Sequence, residues 1–349
     1  MKLRSIIKVM LLPHRALRER ARLIDRANAT DGQLVDAQNH IKELTEVRVS
    51  LQDELAEVRD ERDRFRDILR ALDTAHFVTP GHFYSPMPSR ADVEEQLARQ
   101  VQRNLLLNLP AIDMNIPEQL KLLESLRAYY PQVPFQDKPV AGLLYQFANG
   151  YFSYTDGIIL FCMLNILRPR HIIEIGSGFS TCAILDTNRL FLGGQAQVTC
   201  IDPHPEVLRK LLADSLDAVT IVESRLQDID LGIFDELGPN DVLFIDSSHV
   251  SKFGSDVNYI VFEVLPRLKA GVAIQIHDIY IGFEYPDKWH GEGRAWNEAY
   301  LLRAFLEYNQ AFRILLFIGY LQNMHEAWFR EHMPDTLLRK GGSFWMEKL

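Results

Sequence analysis

The chain has 349 residues, 47% of them hydrophobic, and a formal net charge of −9. Its length allows two or three structural units, its apolar content is ample for a core, and its acidic balance argues against a general nucleic-acid binder. Cys162, Cys182 and Cys200 sit inside apolar segments without metal-ligand spacing, which reads as reduced core thiols of a cytoplasmic protein.

Residues 1–30 carry eight Lys or Arg against Glu19 and Asp25, interleaved with Ile6, Ile7, Met10, Leu11 and Leu12. Through residue 26 this basic amphipathic segment suits peripheral contact with the inner face of a membrane, and a solvated basic tail equally well. Lys8 interrupts the apolar run and no small-residue cleavage site follows, so no signal peptide is expected. No run approaches the ~18 apolar residues of a spanning helix.

Residues 31–75 read as a coiled coil. Leu34, Ile41, Arg48, Leu55, Arg62 and Leu69 fall at a positions, and Ala37, Leu44, Leu51, Val58, Phe65 and Leu72 at d positions. Ten of these twelve are apolar and neither Gly nor Pro lies between them, the pattern of a helix that needs a partner strand. At ~1.5 Å per residue it would reach about 58 Å, and a homo-oligomer is expected through it. Residues 76–150 then read as a linker and cap. Within them Thr79 to Ser89 is rich in Pro and aromatics; His82, Phe83 and Tyr84 are costly to leave in water and are expected over the active site or against the core.

Residues 151–349 carry alternating strand and helix signals. The apolar run Ile172, Ile173, Ile175 leads into Gly176-Ser-Gly178 and a helix-like stretch from Thr181 to Leu190. A buried parallel strand feeding a tight turn under a helix N-terminus is where open α/β sheets bind nucleotides. The third glycine of the dinucleotide fingerprint is absent, since position 181 is Thr, and Glu174 would repel a pyrophosphate yet suit a cationic amino-acid ligand. The loop therefore reads as an S-adenosylmethionine site. Further strands are expected at Val198–Asp202, Val219–Val222, Asp241–Asp246 and Gly271–Ile276, with helices over 205–214 and 256–268. Asp202, at the tip of the second strand, is placed for the two ribose hydroxyls. Arg313–Ile318 and Ser343–Met346 read as a final antiparallel pair. The fold class is α/β: a Rossmann-like seven-stranded sheet with helices on both faces, preceded by the coiled-coil helix.

Chemistry is expected at the ends of the fourth and fifth strands. Asp246, His277 and Asp278 could converge on one divalent cation such as Mg²⁺, with His249 removing a hydroxyl proton at neutral pH. The bland reading leaves Asp246 capping a loop and His277 hydrogen-bonded at the sheet edge. Tyr285, Trp289, Arg294 and Trp296 follow the fifth strand, where a lid would lie; aromatic faces stack on sugar rings and Arg binds hydroxyls or carboxylates. With His82 and Tyr84 they form the expected acceptor site. Tyr300, Leu301, Leu302, Phe305 and Leu306 have helical spacing and read as core.

These residues resemble the class I S-adenosylmethionine-dependent methyltransferases, most of all the bacterial sugar and small-molecule O-methyltransferases of the macrolide-sugar and cephalosporin-hydroxylase-like group. The Glu174-Ile-Gly-Ser-Gly178 loop matches the family's cofactor motif and Asp202 its ribose-binding acid. Gln227 and Asp228 fall where the family flanks the adenine. The resemblance implies Mg²⁺ at Asp246 and at positions 277–278, with an Asp-x-x-His base at Asp246 and His249. His277 stands where the family usually has an acid, which softens the site toward a transition metal or none. The stretches at 80–86 and 285–300 look like those of methyltransferases found among bacterial surface-polysaccharide genes. The expected function is methyl transfer to a hydroxyl of a sugar or glycan-like acceptor, in surface-polysaccharide or natural-product biosynthesis. The rivals are a non-catalytic cofactor-binding module or coiled-coil scaffold of a glycan-assembly complex, and a nicotinamide-dependent oxidoreductase.

Overall fold

A computed structural model describes residues 77–103 and 109–349 and, before them, positions 18, 19, 44, 48, 51, 55, 58, 59 and 62–66. The chain divides into two compact units, Met1–Ser85 and Pro86–Leu349. Most of the expected coiled coil and of the basic N-terminal segment lies outside the described residues. The described positions of the heptad are helical, and Val58 and Phe65 at d positions are exposed. Among the described residues no helix is long and apolar enough to cross a membrane.

The second unit is built on seven strands in the order β3-β2-β1-β4-β5-β7-β6. They are β1 (His171–Ile175), β2 (Gln197–Ile201), β3 (Thr220–Val222), β4 (Val242–Ile245), β5 (Ala273–Ile276), β6 (Phe312–Phe317) and β7 (Phe344–Lys348). β1 to β5 pair in parallel, and β7 runs antiparallel between β5 and β6. All seven expected strands are present; β1, β4 and β5 are short apolar runs buried along nearly their whole length, whereas β3 is only partly buried and β6 exposes Arg313. Successive side chains point to opposite faces of a strand, so the core has two halves. Ile172, Phe244, Ala273 and Trp345 face the helices Tyr154–Leu167 and Phe179–Phe191. Ile173, Ile245, Ile274 and Met346 face the other layer, with Leu302 and Leu306 of the helix Glu298–Leu306.

Two expectations shift. The compact unit begins at Pro86 rather than 151, since Phe135, Tyr145 and Phe147 are buried in the first half of the core. Gln119 also joins the sheet: its Oε1 accepts from the Phe317 amide at 2.7 Å. The helix expected over 256–268 is interrupted by a π turn at Ile260–Val264 just before Pro266, whose ring nitrogen cannot donate to the preceding turn. All three cysteines are buried free thiols.

Candidate active site

A cleft of about 680 Å³ opens at the carboxyl ends of β1, β2 and β4, a size typical of small-molecule sites. Ile175, Gly176 and Ser177 form its floor, Asp202 and Gln227 one wall, and Asp246 the other. Gly176 has φ +88, a left-handed conformation natural only to glycine, and lies so close under Asp246 that a Cβ would overlap its carbonyl oxygen. A Cβ on Gly178 would meet nothing within 4 Å, so the loop leaves open space before the helix Phe179–Phe191. Asp202 accepts from the Ser177 hydroxyl and, at 2.8 Å, from the His204 amide. That leaves its carboxylate fixed at the tip of β2 with lone pairs toward the cleft.

Two expected cofactor residues lie elsewhere. Glu174 is fully buried and its oxygens accept from Ser180 and Thr181. It ties β1 to the following helix rather than lining the cleft, and burial pushes its pKa up to about 7. Asp228 pairs with Arg225 at 2.7 Å and does not line the cleft.

Behind Asp246 lies a buried cluster of acids and imidazoles. His249 Nε2 stands 3.3 Å from Asp246 Oδ1 and 3.8 Å from Asp278 Oδ2. Its Nδ1 is 2.9 Å from Glu298 Oε2. His277 Nδ1 is 3.4 Å from Asp246 and 3.7 Å from Asp278, while its Nε2 is 3.5 Å from Asp156. Burial works against charge on each imidazole, but the neighbouring carboxylates outweigh it. They raise His249 to about 10 and His277 well above its ordinary value. The reciprocal effect outweighs burial at Asp246 and holds it well below the carboxylate range. For Asp278 and Glu298 burial wins and the pKa rises.

The expected metal triad is not assembled as a ligand set: among the described residues no three His, Cys, Asp or Glu side chains are disposed to hold an ion. Asp246, His277 and Asp278 are neighbours, but the two imidazoles supply the positive charge that balances the acids. Asp156 and Glu298 were not anticipated. Asp156 is an acid in the first turn of the otherwise apolar helix Tyr154–Leu167, a signal visible in the sequence. Glu298 opens the helix after the lid and had no such mark.

The lid divides. Tyr285 is core: it is buried, and its hydroxyl accepts from the Ala299 amide at 3.0 Å. Trp289 and Trp296 are half-buried and pack at 5.0 Å, with the Arg294 guanidinium 4.6 and 5.0 Å from their rings. Trp296 also packs on His249, ring centroids 4.3 Å apart. An aromatic wall with a cation thus borders the His249 ring. His82, Phe83 and Tyr84 belong to the other unit, where they pack on one another and His82 accepts from the Tyr84 amide. Tyr300 is more exposed than a core residue, with its hydroxyl on Glu284.

Residues 173–279 match the family described as "Methyltransferase domain". An uncharacterised protein of Archaeoglobus fulgidus is 35% identical over 167 residues, 46% of this chain and 74% of that protein. The O-methyltransferase TomG from Streptomyces achromogenes, involved in tomaymycin synthesis and solved with its cofactor, aligns at 15% identity over 65% of this chain and 88% of its own, TM-score 0.35. An O-methyltransferase from Bacillus cereus aligns at 16% identity over 74% of this chain and 99% of its own, TM-score 0.36. With its β7 reversed between β5 and β6 and its Gly-x-Gly loop at the end of β1, the chain belongs to the class I S-adenosylmethionine-dependent methyltransferases.

Proposed function

We propose that the protein methylates a hydroxyl of a sugar or glycan-like acceptor, with His249 as the general base. The observation that carries this reading is the position of His249. Its Nε2 is 3.3 Å from Asp246, which lines the cofactor cleft, and its ring packs on Trp296 of the lid. When bound, S-adenosylmethionine supplies a sulfonium methyl that an acceptor oxygen takes, the electron pair of the broken C–S bond remaining on sulfur.

The chain's own residues do the rest. Asp202 would hold the ribose hydroxyls and Gln227 would lie beside the adenine. The backbone amide of Ser177, just before the helix N-terminus, would take the amino-acid carboxylate, the Gly178 amide being held by the Thr181 hydroxyl at 3.0 Å. Asp246 remains ionised between cleft and base, which favours a cationic group on its cleft side. Neutral His249 would accept the acceptor's hydroxyl proton at Nε2 as the oxygen attacks, and the two tryptophans offer faces for a sugar ring. Methyl transfer needs little beyond this alignment. Surface-polysaccharide or natural-product biosynthesis is the setting proposed. The heptad at 34–72 supports a homo-oligomer, and the basic residues before 26 support peripheral membrane contact.

The test is transfer of labelled methyl from S-adenosylmethionine to a surface-polysaccharide extract, followed by sugar analysis. Label in an O-methyl sugar supports the reading. Label confined to amines or carboxyl esters contradicts it.

A further inference from the structure

We propose that Glu298 is the positioning residue of the base, fixing the His249 ring and directing its proton-accepting nitrogen toward the acceptor; this rests on the reading of His249 as base. The pair is buried, with His249 at 6% and Glu298 at 5% exposure, and the 2.9 Å Nδ1–Oε2 separation is that of a charge-assisted hydrogen bond. A carboxylate accepts only, so Nδ1 carries a proton toward Glu298, and once the ring is deprotonated on its Asp246 side Nε2 is the nitrogen left to take a proton. That is the division of labour by which a buried carboxylate sets tautomer and orientation in hydrolase triads.

The backbone around the pair is built to the same end. His249 has φ +59, a left-handed conformation costly for a non-glycine residue. The amides of Asn297 and Glu298 both donate to the His249 carbonyl, at 3.0 and 3.1 Å. The Asn297 side-chain oxygen accepts from the Ser251 amide, and Trp296 covers one face of the ring. Three consecutive residues thus grip His249 by ring face, ring nitrogen and main chain. Asn297 and Glu298 directly follow Trp296, and Glu298 opens the helix Glu298–Leu306, so one short segment supplies all three contacts to His249. Asp246 and Asp278 approach from the Nε2 side, so neither can do what Glu298 does.

The experiment compares the full chain with Glu298→Gln and Glu298→Asp, using ¹⁵N-histidine NMR across a pH titration, with His249→Gln to assign the signal. Asp246, Asp278 and Glu298 are the carboxylates facing the ring, and only Glu298 is altered. The proposal predicts that Glu298→Gln moves the neutral-ring proton from Nδ1 to Nε2 and lowers the His249 titration midpoint. Glu298→Asp should keep the Nδ1 proton, and cofactor affinity and melting temperature should stay near wild type in both. With S-adenosylmethionine and the polysaccharide extract, Glu298→Gln should lower kcat by roughly 10²–10⁴-fold with little change in KM, partly restored in Glu298→Asp. An unmoved His249 proton in Glu298→Gln overturns the proposal. If the proton moves but His249→Ala turns over normally, the base reading fails instead.

Discussion

Gly176 lies directly beneath the main chain of Asp246, with no room for a Cβ between them. Both residues line the cleft proposed for the cofactor, and the contact separates two predictions. Gly176→Ala must displace the Asp246 strand end and adopt a left-handed φ, and should lose both thermal stability and cofactor affinity. Gly178→Ala adds a methyl into open space at an extended φ of 166. Its melting temperature should be unchanged while affinity falls, because the cofactor needs that space. Calorimetry with thermal melts checks both; equal effects of the two substitutions would contradict the assignment.

On the proposed reading, Asp202 is the second anchor of the cofactor. Removing its carboxylate in Asp202→Ala should cost about 1.5–3 kcal/mol of cofactor binding, the range for hydrogen bonds to a charged group. Unchanged binding by calorimetry would remove Asp202 from the site.

All of the sheet was legible in the sequence because buried strands such as Val242–Ile245 leave short, uninterrupted apolar runs. Gly176 and Asp202, which line the cleft, stand out for a related reason: each directly follows its strand, so chain order and spatial order coincide. The buried cluster of acids and imidazoles is legible only in part. Asp246, His249, His277 and Asp278 lie at neighbouring strand ends, but Asp156 and Glu298 arrive from separate helices and meet the histidines only through packing. Tyr285 and Glu174 were misplaced for the opposite reason. Their spacing matched a lid and a cofactor loop, whereas their burial depends on neighbours that no local pattern encodes.

The charge state of His249 links activity and stability with opposite signs. Burial lowers its pKa, but the bonds to Asp246 and Glu298 outweigh this and raise it from 6.5 to about 10. A base must be neutral, so turnover should climb from pH 7 toward 9. The raised folded-state pKa contributes stability that is fully present below about pH 6.5 and is lost as pH rises through about 10. Denaturant midpoints of wild type and His249→Gln should therefore converge at high pH. A pH–rate curve already flat at pH 7, with a constant stability gap, would contradict this.

Trp345 is fully buried in β7 between β5 and β6, its indole N–H donating to the Ser343 hydroxyl at 3.0 Å. Trp345→Ala should destabilise the second unit by about 3–5 kcal/mol through cavity formation, measured by denaturant unfolding. A loss below ~1 kcal/mol would mean that the reversed strand is not integral to the core.

The most direct measurement is methyl transfer by the wild-type chain and by His249→Ala, with cofactor affinity measured on the same samples. The account predicts O-methylated sugar from the wild type, turnover reduced by about 10²–10⁴-fold in His249→Ala, and cofactor affinity within about twofold in both. Near-normal turnover in His249→Ala, or activity and cofactor binding lost together, would contradict it.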